Sequence, residues 1–321
     1  MVAPAAGHRI MRTADEARAR PILIDAWYPA AADAVETDHD YGLGRGHVAE
    51  GAPAIDARCP VILLSHGAFG AAANYSWIAE HLACRGYLVV GVSHFLESYM
   101  YGPETIDPTS ATRPWLRPRD CSFALDHVMR QPPFDRCVDV TRVGALGHSS
   151  GGATVIALAG AVYDPVAMER YCASDAARLD RGCAYSRGAP PTAGADEAAF
   201  LSYKDARVKA VVALDPALGP GHTEASLAGV SVPVHIVGAV DNDFLPFESH
   251  AAHYARGIPG ASLTRLASGE GHFVFLDVCD ADREANGVPL CRDRSGVDRS
   301  RVHAMLADVI TGFFDSRLAA S

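Results

Sequence analysis

Apolar residues along the chain fall into short continuous runs that alternate with amphipathic stretches and are punctuated by glycine and proline. This pattern predicts strands alternating with helices, in a mostly parallel central sheet flanked by helices on both faces. "RPILIDAWYP" (20–29) reads as a strand ended by proline, and "CPVILLSHG" (59–67) as a buried strand entering a glycine turn. In "NYSWIAEHLACRG" (74–86) Trp77, Ile78, His81, Leu82 and Cys84 recur at helical spacing, and Gly86 stops the helix. "YLVVGVS" (87–93) is the next strand, and "RDCSFALDHVMR" (119–130) a helix that Pro132 and Pro133 prevent from continuing. "TRVGALGHS" (141–149) then supplies a strand and "GGATVIALAGAV" (151–162) a helix of small residues.

The alternation breaks over 163–206, rich in Asp, Ala, Arg, Gly and Pro, which reads as an inserted lid or cap. It resumes with strands "VKAVVALD" (208–215) and "VPVHIVGAV" (232–240), a helix near 247–256, strand "SLTRLAS" (262–268) and a closing helix "RSRVHAMLADVITGFFDSRL" (299–318). Residues 30–58 form a long Gly/Ala/Asp connection expected to be partly mobile. The expectation is one α/β domain spanning 1–321, with the insertion at 163–206.

Composition narrows the function classes. At 49% hydrophobic and 21% charged the chain has ordinary globular usage, and a net charge of -10 with acids and bases interspersed argues against a nucleic-acid partner. No apolar run reaches the roughly 18 residues that cross a bilayer, and the first twenty residues hold no apolar core of the signal-peptide kind. The compartment is therefore read from the cysteines. Cys59, Cys84, Cys121 and Cys137 lie in or beside apolar segments, where a buried free thiol is expected. Cys172 and Cys183 bracket one polar loop, and Cys279 and Cys291 another, so each pair closes a short covalent loop in a periplasmic or secreted protein. No cysteine or histidine spacing suggests zinc, and no metal or cofactor is implied.

The chemistry centres on "VGALGHSSGG" (143–152). Gly147-His148-Ser149-Ser150-Gly151 fits G-x-S-x-G after a strand and before a helix, where a sharp turn holds the serine out at the C-terminal edge of the sheet. A hydroxyl needs a base to act as a nucleophile at neutral pH. "GEGHFVFLDVC" supplies His272 in a glycine-rich loop after the final strand, in the chain order serine, acid, histidine. The oxyanion hole is expected from the N–H groups of Ser150, at the helix N-terminus, and of Ala68 in "SHGAFG" (65–70), with Phe69 as the neighbouring choice.

"LSHGAFG", "GHSSGG", "GAVDNDFLP" and "GHFVFLDVC" together resemble the α/β-hydrolases described as dienelactone-hydrolase-like or platelet-activating-factor-acetylhydrolase-like. The resemblance extends to "DAWYPA", "RPRDCSFALDHV" and "DRSRVHAMLADVITGFF" and implies the α/β-hydrolase fold. Dienelactone hydrolases carry a cysteine where this chain has Ser149, which argues against that activity, and cutinase-like polyester hydrolases lack so long an insertion. For the acid, Asp241 comes first, because it follows the strand "VPVHIVGAV" where most of the resembling esterases keep theirs. Asp215 comes second, at the acetylhydrolase branch's position, and Asp243 third.

The expected activity is serine carboxylic-ester hydrolysis on short to medium acyl or aromatic esters, small or polymeric, with Phe69, Trp115, Phe244 and Phe273 lining an apolar pocket. The alternatives are an acetylhydrolase-like phospholipase and an amidase using the same triad.

Overall fold

A computed structural model describes residues 3–319. Twelve strands and eight helices are numbered in chain order among these residues: β1 (Ala5–Asp15), β2 (Arg20–Ala30), β3 (Thr37–Asp40), β4 (Arg45–Glu50), β5 (Cys59–Ser65), α1 (Ser76–Cys84), β6 (Leu88–Ser93), α2 (Leu116–Val128), α3 (Phe134–Cys137), β7 (Val138–His148), α4 (Ser150–Leu158), α5 (Pro165–Cys172), β8 (Val208–Leu214), α6 (Glu224–Leu227), β9 (Val234–Ala239), α7 (Ala251–Gly257), β10 (Ser262–Leu266), β11 (Glu284–Ala285), β12 (Val288–Pro289) and α8 (Arg299–Arg317). Ten of the strands form one sheet in the order β10-β9-β8-β7-β5-β6-β2-β1-β4-β3. From β6 to β10 every neighbouring pair is parallel, whereas β2 joins β6, and β1 joins β2, antiparallel.

Alternation along each central strand builds a core on both faces. In β5, Val61 and Leu63 face α2, α4 and α7, while Ile62 and Leu64 face α1 and α8. Burial on both sides explains why these strands read as unbroken apolar runs. Two segments depart from the sequence expectation. β1 pairs with β2 residue for residue over its whole length, yet "AAGHRIMRTAD" is rich in small residues and carries no period-two signal. Residues 30–58 hold regular structure where the sequence predicts an irregular connection: β3 and β4 pair with each other and β4 continues onto β1, a stretch that few apolar side chains mark.

Segment 163–206 holds α5 and several short 3-10 turns. Cys172 is disulfide-bonded to Cys183, and Cys279 to Cys291, as expected, and Cys59, Cys84, Cys121 and Cys137 are free. The second bridge encloses the hairpin β11–β12, which turns at Asn286 and Gly287, both with positive φ. That Asn-Gly pair is the residue signature of a two-residue hairpin turn. Among the described residues, no helix is long and apolar enough to cross a membrane.

Phe314 of α8 is fully buried against β7, where a Cβ on Gly144 would stand 2.7 Å from its ring. Phe314→Ala is expected to cost about 3–5 kcal/mol. Chemical denaturation would read this as a lower midpoint at unchanged slope.

Candidate active site

The turn from β7 into α4 is shaped by contacts that exclude side chains. A Cβ on Gly151 would lie 1.9 Å from the Ser65 carbonyl oxygen, and one on Gly147 would lie 2.2 Å from the Gly151 oxygen. Ser149 between them adopts φ 56° and ψ -120°, a conformation that costs a non-glycine residue of order 1–3 kcal/mol. Both of its peptide groups are tied to the end of β8: Ser149 N–H donates to Leu214 O at 3.0 Å, and Ala217 N–H donates to Ser149 O at 2.9 Å. The N–H of Ser150 opens α4 without an intrahelical acceptor.

His272 faces Ser149 from the loop after β10. Its Nε2 is 3.0 Å from Ser149 Oγ and its Nδ1 is 2.7 Å from Asp215 Oδ2. The Asp215 carboxylate also accepts the Ala239 N–H at 3.2 Å and the Asn242 amide. With donors on both carboxylate oxygens, the imidazole carries its proton on Nδ1 and turns a bare Nε2 to the serine. Burial pushes the His272 pKa down from the ordinary imidazole value, so the ring is neutral at neutral pH. Burial likewise pushes the Asp215 carboxyl up, and the hydrogen bonds from the Ala239 N–H and the Asn242 amide pull it back.

The ring is held from several directions. Phe244 stacks on it at 5.1 Å between centroids, and Phe273 meets it edge-on at 5.0 Å. Asp243 accepts the His272 backbone N–H at 2.9 Å and faces Arg294 at 3.6 Å. The His272 carbonyl accepts the Nε2–H of buried His148 at 3.0 Å, whose Nδ1 accepts the Tyr75 hydroxyl at 2.8 Å. Tyr75 in turn accepts the Gly67 N–H at 3.0 Å, so one chain of hydrogen bonds joins the turn 65–70, the serine turn and the histidine loop.

Ser149 stands between two cavities. One of about 490 Å³ is lined by Gly67, Ala68, Phe69, Tyr99, Tyr185, Phe244, Phe273, Leu276 and Leu290 among others. The other, about 30 Å³, lies beside Ser150, Tyr163, Met168, Ala217 and Leu218. The two disulfide-closed loops meet over the larger cavity, where Arg181 Nη1 donates to Asn286 O at 2.6 Å and the Asn286 amide donates to Arg181 O at 3.0 Å. The insertion contributes Tyr185 to the wall, and the hairpin segment contributes Arg283, Glu284, Ala285 and Asn286.

The structure brings together Ser149, His272, Ala68, Ser150, Phe69, Phe244 and Phe273 as the sequence led one to expect. It corrects two placements. Asp241 is exposed and its side chain is not on His272; the carboxylate there is that of Asp215. β8 is the direct neighbour of β7, and the turn after β8 carries Asp215 to the Nδ1 side of the ring. The loop after β9 sends Asn242 inward instead, a contact that its sequence does not announce. Trp115 lies away from the serine, buried with Tyr163, Met168 and Ala199.

A second Ser–His–Asp relay lies in the core: His94 Nε2 is 2.9 Å from Ser65 Oγ and its Nδ1 is 3.0 Å from Asp120, with all three residues wholly buried. No cavity described here is lined by Ser65, and Asp120 is also bound by Arg18 and Arg20. Among the described residues, no group of three or more His, Cys, Asp or Glu is arranged to hold a metal ion.

Residues 45–172 match the family model for chlorophyllase, less than half of the chain. The match covers the turn 65–70 and the serine turn but neither Asp215 nor His272. No curated protein matches the sequence. Among solved structures 743 chains match, so the architecture is shared too widely to select a substrate. One of them, a ferulic acid esterase from Streptomyces cinnamoneus, covers 99% of this chain and 90% of its own, with a TM-score of 0.64 at 20% identity. The fold is that of the α/β-hydrolases.

Two outcomes follow from the geometry. Asp215→Asn should lower kcat by about 10⁴, because the amide favours the wrong imidazole tautomer, while Asp241→Asn stays near wild type; steady-state kinetics on a nitrophenyl ester ranks them. Because burial lowers the His272 pKa, its neutral form persists as pH falls, and the acid limb of kcat/KM should lie below the ordinary imidazole value of about 6.5. A pH–rate profile with its limb at or above that value would contradict this.

Proposed function

We propose that this protein is a serine carboxylic-ester hydrolase with Ser149 as nucleophile, His272 as general base and acid, and Asp215 as the carboxylate that orients the histidine. The chlorophyllase-family match and the esterase neighbour indicate a carboxylic ester hydrolase. The observation that carries the residue assignment is the relay itself, with Nε2 of His272 3.0 Å from Ser149 Oγ and Nδ1 2.7 Å from Asp215, at the wall of the large cavity.

In this reading Ser149 Oγ attacks the ester carbonyl carbon while His272 Nε2 takes its proton. The carbonyl oxygen gains negative charge and is met by the N–H groups of Ala68 and Ser150. Collapse breaks the bond to the alcohol, which leaves with the proton from His272. Water then attacks the acyl-enzyme by the same route and releases the acid.

The two cavities support a reading of the substrate class. One side of the ester is bulky and apolar, sized for the larger cavity with its wall of Phe69, Tyr99, Tyr185 and Phe273; the other side is small. Esters of an aromatic acid, the class named by the ferulic acid esterase, suit that wall. The two disulfides support residence in an oxidising compartment, periplasmic or extracellular. A phospholipase-like reading has one observation in its favour: Val166, Leu179, Phe200 and Leu201, all within 163–206, are at least 45% exposed.

An organophosphonate should label the protein once, at Ser149, and labelling should persist in Ser65→Ala and vanish in Ser149→Ala. In a panel of methyl esters of aryl acids, acetates of bulky phenols, long-chain triacylglycerol emulsions and anilides, the first two classes should have the highest kcat/KM. Preference for emulsions would move the assignment to the lipid-surface reading, and preference for anilides to an amidase.

A further inference from the structure

The turn 65–70 rests on a buried ion pair that the reaction as described leaves unused. Arg117 of α2 is 1% exposed and Glu97 is 2% exposed. Arg117 Nε donates to Glu97 Oε1 at 2.9 Å and Nη2 donates to Oε2 at 2.6 Å. Burial works against the charge on Glu97, and the guanidinium more than offsets it, holding the carboxyl below its usual range. A buried pair of this kind seldom stabilises a fold more than apolar residues of the same volume would. Its remaining donors point to another use. Nη1 donates to the His66 carbonyl at 2.6 Å, and Nη2 also approaches the Gly67 carbonyl at 3.4 Å.

The Gly67 carbonyl is surrounded by donors. His66 Nδ1–H reaches it at 2.6 Å and the Gly70 N–H at 3.2 Å. The tautomer of His66 is set by its other nitrogen, which accepts the His94 N–H at 2.9 Å. A trans peptide is planar, with its C=O and N–H directed oppositely. Holding the Gly67 oxygen toward Arg117 therefore turns the N–H of Ala68, in the same peptide, toward the opposite side. Ala68 and Ser149 line the same cavity, and a Cβ on Gly67 would stand 3.3 Å from the serine Cβ.

We propose that Arg117, held by Glu97, is a positioning residue that aims the Ala68 N–H at the oxyanion by fixing the carbonyl end of the Gly67–Ala68 peptide. This rests on the reading of Ser149 as nucleophile. A cation at the carbonyl end also polarises the peptide, so its N–H meets the negative charge that appears only in the tetrahedral state. The contribution therefore falls on kcat rather than on KM.

The test compares Arg117→Lys and Glu97→Gln with Arg207→Lys, which disturbs a partly exposed pair with Asp205 and Asp126 outside the cavities around Ser149. Measured quantities are kcat and KM on a short nitrophenyl ester, affinity for an arylboronic acid that forms a tetrahedral adduct on Ser149, active-site titration with a phosphonate, and melting temperature. Arg117→Lys should lower kcat by about 10- to 100-fold, below the loss for deleting an oxyanion donor outright. KM should stay within about threefold and boronate affinity should weaken by a factor comparable to the kcat loss. Glu97→Gln should move the same two quantities in the same direction by less, and Arg207→Lys should change melting temperature alone. Unchanged kcat per titrated site in both Arg117→Lys and Glu97→Gln, or a kcat loss with unchanged boronate affinity, overturns the proposal. Full activity of Ser149→Ala would instead overturn the underlying reading of the nucleophile. If Arg117→Lys does not fold, the kcat-to-boronate correspondence in Glu97→Gln decides.

Discussion

The hydrogen bonds that tie both peptide groups of Ser149 to the end of β8 are the constraint on which the site depends. They hold the serine in a strained conformation and at the same time bring the β8 terminus, with Asp215 at φ 44°, beside it. Asp215 is anchored in turn to β9, donating its N–H to Val237 O at 2.7 Å. Two positive-φ residues at the ends of adjacent parallel strands are thus fixed, Ser149 by the neighbours of Asp215 and Asp215 by β9. His272, from the loop after β10, bridges the ends of β7 and β8, which are neighbours in the sheet, and so completes the relay.

Local pattern does not distinguish this relay from the one formed by Ser65, His94 and Asp120, whose distances are as good. What separates them is environment. Ser65 ends a central strand under complete burial, and Asp120 is engaged by two arginines, so its carboxylate works as an anchor for β2 and α2. Ser149 opens onto space that can take a substrate, and Asp215 meets only donors that leave its partnership with His272 intact. A hydrogen-bonded serine becomes chemically useful only where a reacting carbon can approach it.

Part of the cavity wall comes from segments of the chain with little core of their own. Segment 163–206 and the β11–β12 hairpin each present short elements with few buried side chains, and each holds a disulfide-closed loop. Covalent closure restricts such loops where apolar burial is scarce. The reciprocal bonds between Arg181 and Asn286 join them, and Asp180, bound to His250 Nε2 at 2.7 Å, fastens the insertion to the segment just before α7. Shape above the serine is therefore set by loop-to-loop contacts, while Ser149 and Asp215 below directly follow strands β7 and β8.

The alternating architecture, the two cysteine pairings and the proximity of Ser149, His272, Ala68 and Ser150 were legible in the sequence, because each leaves a local mark. Runs buried on both faces, glycines forced by contact at 147 and 151, and a histidine in a glycine-rich loop are all readable within a few residues. That Asp215 and not Asp241 faces the histidine emerges only on folding, since both carboxylates follow strands and the long-range contacts determine which one meets the ring. The tertiary structure also decided that β1, β3 and β4 exist, because their order comes from backbone pairing and not from apolar periodicity. Trp115, Asn242 and Arg117 belong to the same class: an aromatic, an amide and a cation whose roles are set by residues dozens of positions away, which no local pattern encodes.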